Sequence, residues 1–162
     1  VTGDPAEEAG RPRKKQAASP RNMAMNWLAR REHSQAELCA KLAEREFSPA
    51  EINAAVASLV ADGLVSDERF AEAFTAVRTR KGQGPVRIRM ELKRRGVGDE
   101  LIRMQLDEAG IDWRNIAADV RRKKFGAMMP ADYKEKARQM RFLEYRGFTG
   151  DQIRSAVGDD FD

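Results

Sequence analysis

The chain holds one histidine and one cysteine, His33 and Cys39, close enough in sequence to be weighed as a nucleophile and its base. Such a pair needs a third group to orient the imidazole and a cationic setting to lower the thiol pKa, and no nearby residue supplies the orienting group. One cysteine excludes an internal disulfide framework or a cysteine-based zinc site, and one histidine leaves too few ligands for metal chemistry. Asp67, Glu68 and Asp132 are candidate acids or bases, but each reads as a helix-start residue, where a carboxylate complements the helix dipole. Gly82-Gln83-Gly84-Pro85 is too short for a phosphate loop and lacks its Gly-Lys-Ser/Thr ending. It reads as a turn with proline opening a helix. No enzyme, cofactor or metal is therefore expected, and what remains is the chemistry of charge.

Thirty Lys and Arg face 26 Asp and Glu, a net charge of only +4 over 162 residues. The charges are unevenly placed. Residues 23–65 hold four basic and six acidic residues, residues 78–95 eight basic and one acidic, and residues 121–146 nine basic and three acidic. Asp159, Asp160 and Asp162 make the end acidic. Such asymmetry implies a polyanion or a charged protein partner.

The first basic region contributes Arg80, Lys81, Arg87, Arg89, Lys93, Arg94 and Arg95. With Ile88 and Leu92 turned inward, Arg87 and Arg94 share the solvated face with Glu91 between them. Pairing through Glu91 would make this a plain soluble face, but one acid cannot neutralise so many cations, which favours binding. The second contributes Arg121, Arg122, Lys123 and Lys124, four cations at a helix end where the dipole favours one or two. In the next helix Lys134, Arg138, Arg141 and Tyr145 form a stripe, with Phe142 beside it. An aromatic beside cations can stack on a base, though packing on a neighbouring helix is the commoner use.

The elements that carry these residues read as helices throughout. Ser34-Gln-Ala-Glu37, Ser48-Pro-Ala-Glu51 and Thr149-Gly-Asp-Gln152 are capping boxes, and Ser66-Asp67-Glu68 opens another helix. Gly63, Gly82, Gly84, Gly96, Gly110, Gly126 and Gly147 mark helix ends. The pattern predicts helices over 22–32, 34–46, 49–62, 67–81, 85–95, 99–109, 112–125, 132–146 and 150–157, and no strands. No run approaches the roughly 20 apolar residues of a membrane span. Residues 1–22, with three Pro, two Gly and a cluster at Arg11, Arg13, Lys14 and Lys15, read as a flexible basic tail without the apolar core of a secretory signal.

The helices repeat. Leu42, Leu92 and Leu143 fall in register at a spacing of about 50 residues, as do Phe47, Val97 and Phe148, then Ile52, Ile102 and Ile153, then Val56, Leu106 and Val157. The cap positions Ser48, Gly98 and Thr149 align as well. A unit of about 40 residues is near the limit of independent stability, whereas three sharing apolar faces can stand as an array. The expected fold is all-α, an elongated tandem of three three-helix units: a tail over 1–22, then 23–65, 66–110 and 111–162.

Several ordered segments resemble the bacterial RecX regulators of the RecA recombinase. They are Leu28–Ser34 with Glu37-Leu38, Gly63–Ala71, Gly84–Ile88 with Glu91-Leu92 and Arg95-Gly96-Val97, Lys123–Gly126, and Arg141–Phe148. The resemblance spans about 23–157. It implies a non-enzymatic protein that lodges in the groove of the RecA–single-stranded DNA filament and limits filament growth, strand exchange and the co-protease activity behind the SOS response. It implies that the positive faces carry the contact. The cysteine-poor composition itself fits a reduced, cytoplasmic setting. A monomer is expected. The alternative is a helix-turn-helix transcription regulator built on 34–64, which the absence of Lys or Arg in Pro49–Asp62 opposes, since a recognition helix must meet phosphates.

Overall fold

A computed structural model describes residues 18–159, and among these it contains helices and no strand. The helices are α1 (Pro20–Leu28), α2 (Gln35–Ala43), α3 (Pro49–Ala61), α4 (Asp67–Arg80), α5 (Pro85–Arg94), α6 (Asp99–Arg103), α7 (Trp113–Phe125), α8 (Tyr133–Arg146) and α9 (Gly150–Val157). Helix α6 widens into a π-helical turn over Met104–Glu108. None of these helices is long and apolar enough to cross a membrane.

All three capping boxes form. The side chains of Ser34, Ser48 and Thr149 each accept from the amide three residues on, and Glu37, Glu51 and Gln152 each accept the cap amide in return. Two helices depart most from their expected bounds: the second ends at Ala43 and not at 46, and the first is shifted at both ends. The first helix was expected over 22–32 after a tail ending at residue 22. It runs from Pro20 to Leu28, because Ser19 accepts from Asn22 N at 3.1 Å and Pro20 takes the first turn. This is the same Ser-Pro start that marks α3. The rest of the expected tail, residues 1–17 with its basic cluster, lies outside the described residues, as do residues 160–162.

Close helix packing falls within three groups, α1–α3, α4–α6 and α7–α9. The repeat columns form their cores. Leu42, Leu92 and Leu143 are fully buried, and Ile52, Ile102, Ile153, Val56, Leu106 and Val157 are buried with them. Each such side chain contributes about 1.5–3 kcal/mol by leaving water. Phe47 is the one member of these columns that stays half-buried, packed on the edge of its core. Trp113 Nε1 donates to the Leu106 carbonyl at 3.0 Å, tying the third group to the end of the second.

The groups join differently at their two junctions. The second and third share one apolar core running from Phe70 to Val157. The first has its own, built on Ala24, Leu38, Leu42, Ile52, Val56, Leu59 and Val65. Its junction with the second group is polar. Ser34 Oγ donates to the Arg95 carbonyl at 2.6 Å and Gln35 N to Asp67 Oδ1 at 2.8 Å. Glu37 pairs with Arg31 and Arg95, and Arg69 with Glu32. At both junctions the start of one middle helix meets the end of the next. Gly84 N donates to the Arg146 carbonyl at 2.7 Å and Val86 N to the Gly147 carbonyl at 2.9 Å.

Candidate polyanion-binding cleft

Helices α4, α7 and α8 end close together. The C-terminal dipole of each favours cations in its last turn, so sequence and fold concentrate positive charge where they converge. Between them lies a cleft of about 650 Å3 whose walls carry Arg80 and Lys81 from the end of α4, Lys123 and Lys124 from α7, and Arg146 from α8. The two basic regions, distant in sequence, thus face one space. The acid on its walls, Asp119, is engaged by Arg122 at 3.0 Å. None of the five cations forms an ion pair among the described residues. Their mutual repulsion is relieved only partly by the helix dipoles, and a bound polyanion would relieve it further.

Phe142 lines the same cleft. It packs edge-on to Phe125 at 5.3 Å and 89°, and the charged ends of Arg146 and Lys124 lie 5.0 and 5.7 Å from its ring. Packing is therefore its first role, and it also holds two of the cations in place. Arg146 Nη1 donates to the Lys81 carbonyl at 3.0 Å, closing the cleft floor across α4 and α8. Arg146 belongs to the second basic region, outside its expected contact residues. Its place in the last turn before Gly147, matching Arg95 before Gly96, was the available signal.

The other expected contact residues are scattered. Arg121 is corrected: it is 3% exposed, with Nη1 donating to the Met128 carbonyl at 3.1 Å and to Gln139 Oε1 at 3.4 Å. It follows Trp113 and Ala117 at spacings of four, on the buried face of α7, so it cannot belong to an exposed basic surface. Glu91 pairs with Arg78 at 3.3 Å and Arg95 at 3.5 Å, so the plain soluble face laced through Arg87 and Arg94 does not form. Arg89 and Lys93 have partners in Asp107 (2.6 Å) and Asp99 (3.3 Å), and Arg122 and Arg138 in Asp119 and Glu135. Exposed ion pairs of this kind exchange readily with a ligand, being worth only ~0.2–1 kcal/mol each. Lys134, Arg138, Arg141 and Tyr145 do form an exposed stripe along α8. Arg95 is half-buried, stacked with Arg78 on Phe74 at 4.9 and 4.7 Å.

His33 is buried. Its Nδ1 lies 3.0 Å from the Arg31 carbonyl and its Nε2 3.2 Å from Lys41 Nζ, so a neutral ring donating at Nδ1 and accepting at Nε2 satisfies both. Burial holds its pKa below the ordinary value of 6.5. Cys39 is half-buried. Among the described residues no three His, Cys, Asp or Glu side chains gather to hold a metal.

Comparison with known proteins gives this arrangement its family. Three models of RecX three-helix domains match in chain order: the first over residues 21–59, the second over 66–106 and the third over 114–157. The chain belongs to the RecX family. It is 47% identical over 137 residues to the regulatory protein RecX of Halorhodospira halophila, covering 85% of each chain. It is 47% identical over 133 residues to that of Pseudomonas fluorescens, covering 82% of this chain and 86% of the relative. The fold matches the crystal structure of RecX from Lactobacillus salivarius with a TM-score of 0.72 at 19% identity, over 85% of this chain and 92% of the other. The family is one of regulatory proteins, and its tandem three-helix architecture is the one described above.

Proposed function

We propose that this chain regulates RecA, mainly negatively, by binding the RecA–single-stranded DNA filament through its basic faces. It acts in the cytoplasm as a monomer, without catalysis, and limits filament extension, strand exchange and co-protease activity. The working units are the three-helix groups, over 23–65 with the start of α1 added, 66–110 and 111–162. The observation that carries this reading is the cleft in which Arg80, Lys81, Lys123, Lys124 and Arg146 converge without acidic partners. A tandem array can meet several filament subunits at once, so that weak contacts act together through effective concentration. A phosphate strand in the cleft would supply the charge it lacks.

Co-sedimentation with RecA filaments on single-stranded DNA is the direct experiment, paired with RecA-dependent strand exchange. Binding and inhibition at substoichiometric protein are expected. An equimolar amount that neither sediments nor slows exchange would remove the proposal.

A further inference from the structure

Beside the cleft, α8 forms a second and different groove with α5, of about 330 Å3. Its walls are Val86 and Met90 on α5 and Tyr145 on α8, which are 45, 52 and 76% exposed. We propose that this groove receives an acidic peptide segment of a protein partner, bearing one large apolar side chain between two carboxylates. The proposal rests on the reading that the chain regulates by binding, and it assigns the protein contact and the nucleic-acid contact to separate places.

Three observations favour a peptide over nucleic acid. The first is the lining. A flexible Met, a β-branched Val and an exposed Tyr make an adaptable apolar seat of the kind that anchors a partner's side chain. The second is charge. Arg87 and Arg94 flank the seat, and Arg94 has no ion pair among the described residues. Glu91 and Glu144 also line the groove. Glu91 is engaged by Arg78 and Arg95, which leaves Glu144 as the acid without an ion pair among the described residues. Two cations against one uncommitted carboxylate leave a small positive excess, which suits two spaced acidic side chains and offers a run of phosphates far less than the five-cation cleft does. The third is rigidity. The floor is the junction where Val86 N donates to the Gly147 carbonyl at 2.9 Å, and a Cβ on Gly147 would lie 2.4 Å from that of Arg87. A seat already formed costs little ordering on binding.

The geometry also fixes a spacing. Arg87 and Arg94 are about 10 Å apart along α5 at ~1.5 Å per residue, with Met90 between them. An extended peptide advances ~3.3 Å per residue and turns alternate side chains to one face, so acids four positions apart, with the apolar residue midway, share that face and reach both cations.

The test is fluorescence anisotropy on the full chain with a labelled synthetic peptide in which two Asp four positions apart flank a central Phe. A matched peptide with Gly for the Phe and a labelled oligothymidylate serve as comparison probes. The Phe peptide should bind, and the Gly peptide should bind at least tenfold more weakly. Met90→Ala with Tyr145→Ala, and separately Arg87→Ala with Arg94→Ala, should each weaken the Phe peptide at least tenfold. Met90, Arg94 and Tyr145 are exposed and Arg87 is half-buried, so circular dichroism checks that each variant keeps the fold. The Met90→Ala, Tyr145→Ala chain should bind oligothymidylate unchanged. Equal binding of both peptides, no binding of either, or loss of oligothymidylate in that variant would overturn the proposal, the last by making the groove a base-stacking site. Peptide binding without any oligothymidylate binding would sink the cleft reading and leave this one standing.

Discussion

The hydroxyl of Ser34 donates to the carbonyl of Arg95 at 2.6 Å, although the two stand 61 residues apart. Ser34 also caps α2 by accepting from Glu37 N at 3.0 Å. One buried side chain thus starts a helix and holds the first group on the second. Ser34→Ala removes both bonds and leaves the Arg95 carbonyl without this donor. Unfolding of the first group should become easier by about 1–3 kcal/mol, read as an earlier urea midpoint for Trp27 fluorescence. An unchanged midpoint would mean that the junction bond adds nothing to stability.

The equivalent place at the other junction is occupied by backbone. Gly147, at φ 92°, has no room for a side chain, since a Cβ would lie 2.4 Å from the Cβ and 2.7 Å from the amide nitrogen of Arg87. Gly110 also has a positive φ, of 76°, but open space around it. Gly110→Ala should therefore cost about 1–2 kcal/mol from backbone strain alone. Gly147→Ala should cost about 1–3 kcal/mol more from overpacking. Thermal unfolding of the two variants compares them directly.

In the first group the matching position is not glycine. Glu46 follows Arg45 as Gly96 follows Arg95 and Gly147 follows Arg146, and it alone among the described non-glycine residues has a positive φ, 64°. Glu46 is exposed and no further helix group packs there among the described residues, so a Cβ is tolerated, but the left-handed backbone still costs energy. Glu46→Gly should stabilise the first group by up to about 1 kcal/mol. A midpoint that falls would show that the Glu46 side chain has a stabilising role that outweighs the strain.

Burial of His33 makes stability depend on pH. The folded state disfavours the charged ring, so below the ordinary value of 6.5 the unfolded chain binds more protons than the folded one. The stabilisation of the neutral ring is complete above 6.5 and is lost progressively as pH falls toward the lower, folded pKa. Between pH 7.5 and 5.5 the unfolding free energy should decline. The decline should flatten in His33→Gln, whose amide can still donate and accept. An equal slope in both chains would assign the dependence to other groups.

These residues show how much the sequence carried. Caps, helix order and repeat columns were legible because they follow local rules: Ser34, Ser48 and Thr149 are followed three positions later by Glu or Gln, and apolar residues recur at helical spacing. The two basic regions were legible as charge, but their convergence was not, since it depends on α4, α7 and α8 ending together. Arg121 was misplaced because a run of four cations reads as surface, while its spacing from Trp113 and Ala117 pointed inward. The choice of partners by Glu91 was not legible, because Arg78 reaches it from another helix and Arg95, four residues on, competes with Arg87 and Arg94 at equally good helical spacings.

That correction separates two kinds of arginine and lysine by experiment. Lys81, Lys123 and Lys124 line the cleft without ion pairs, so replacing all three with Ala should weaken single-stranded DNA binding at low salt. Each lost phosphate contact lowers the slope of log affinity against log salt by about 0.7 for single strands, a fall of about 2 for three. Stability should hold or rise slightly, because like charges are removed from one space. Arg121→Ala should do the reverse. It leaves the Met128 carbonyl and Gln139 without their donor inside the protein and opens a void between α7 and α8. The cost in unfolding free energy should be about 2–4 kcal/mol, with the salt slope unchanged as long as the chain is folded. A steep salt slope that survives the triple substitution would place the phosphates on the exposed stripe of Lys134, Arg138 and Arg141 instead, and the cleft would then serve only to balance three helix ends.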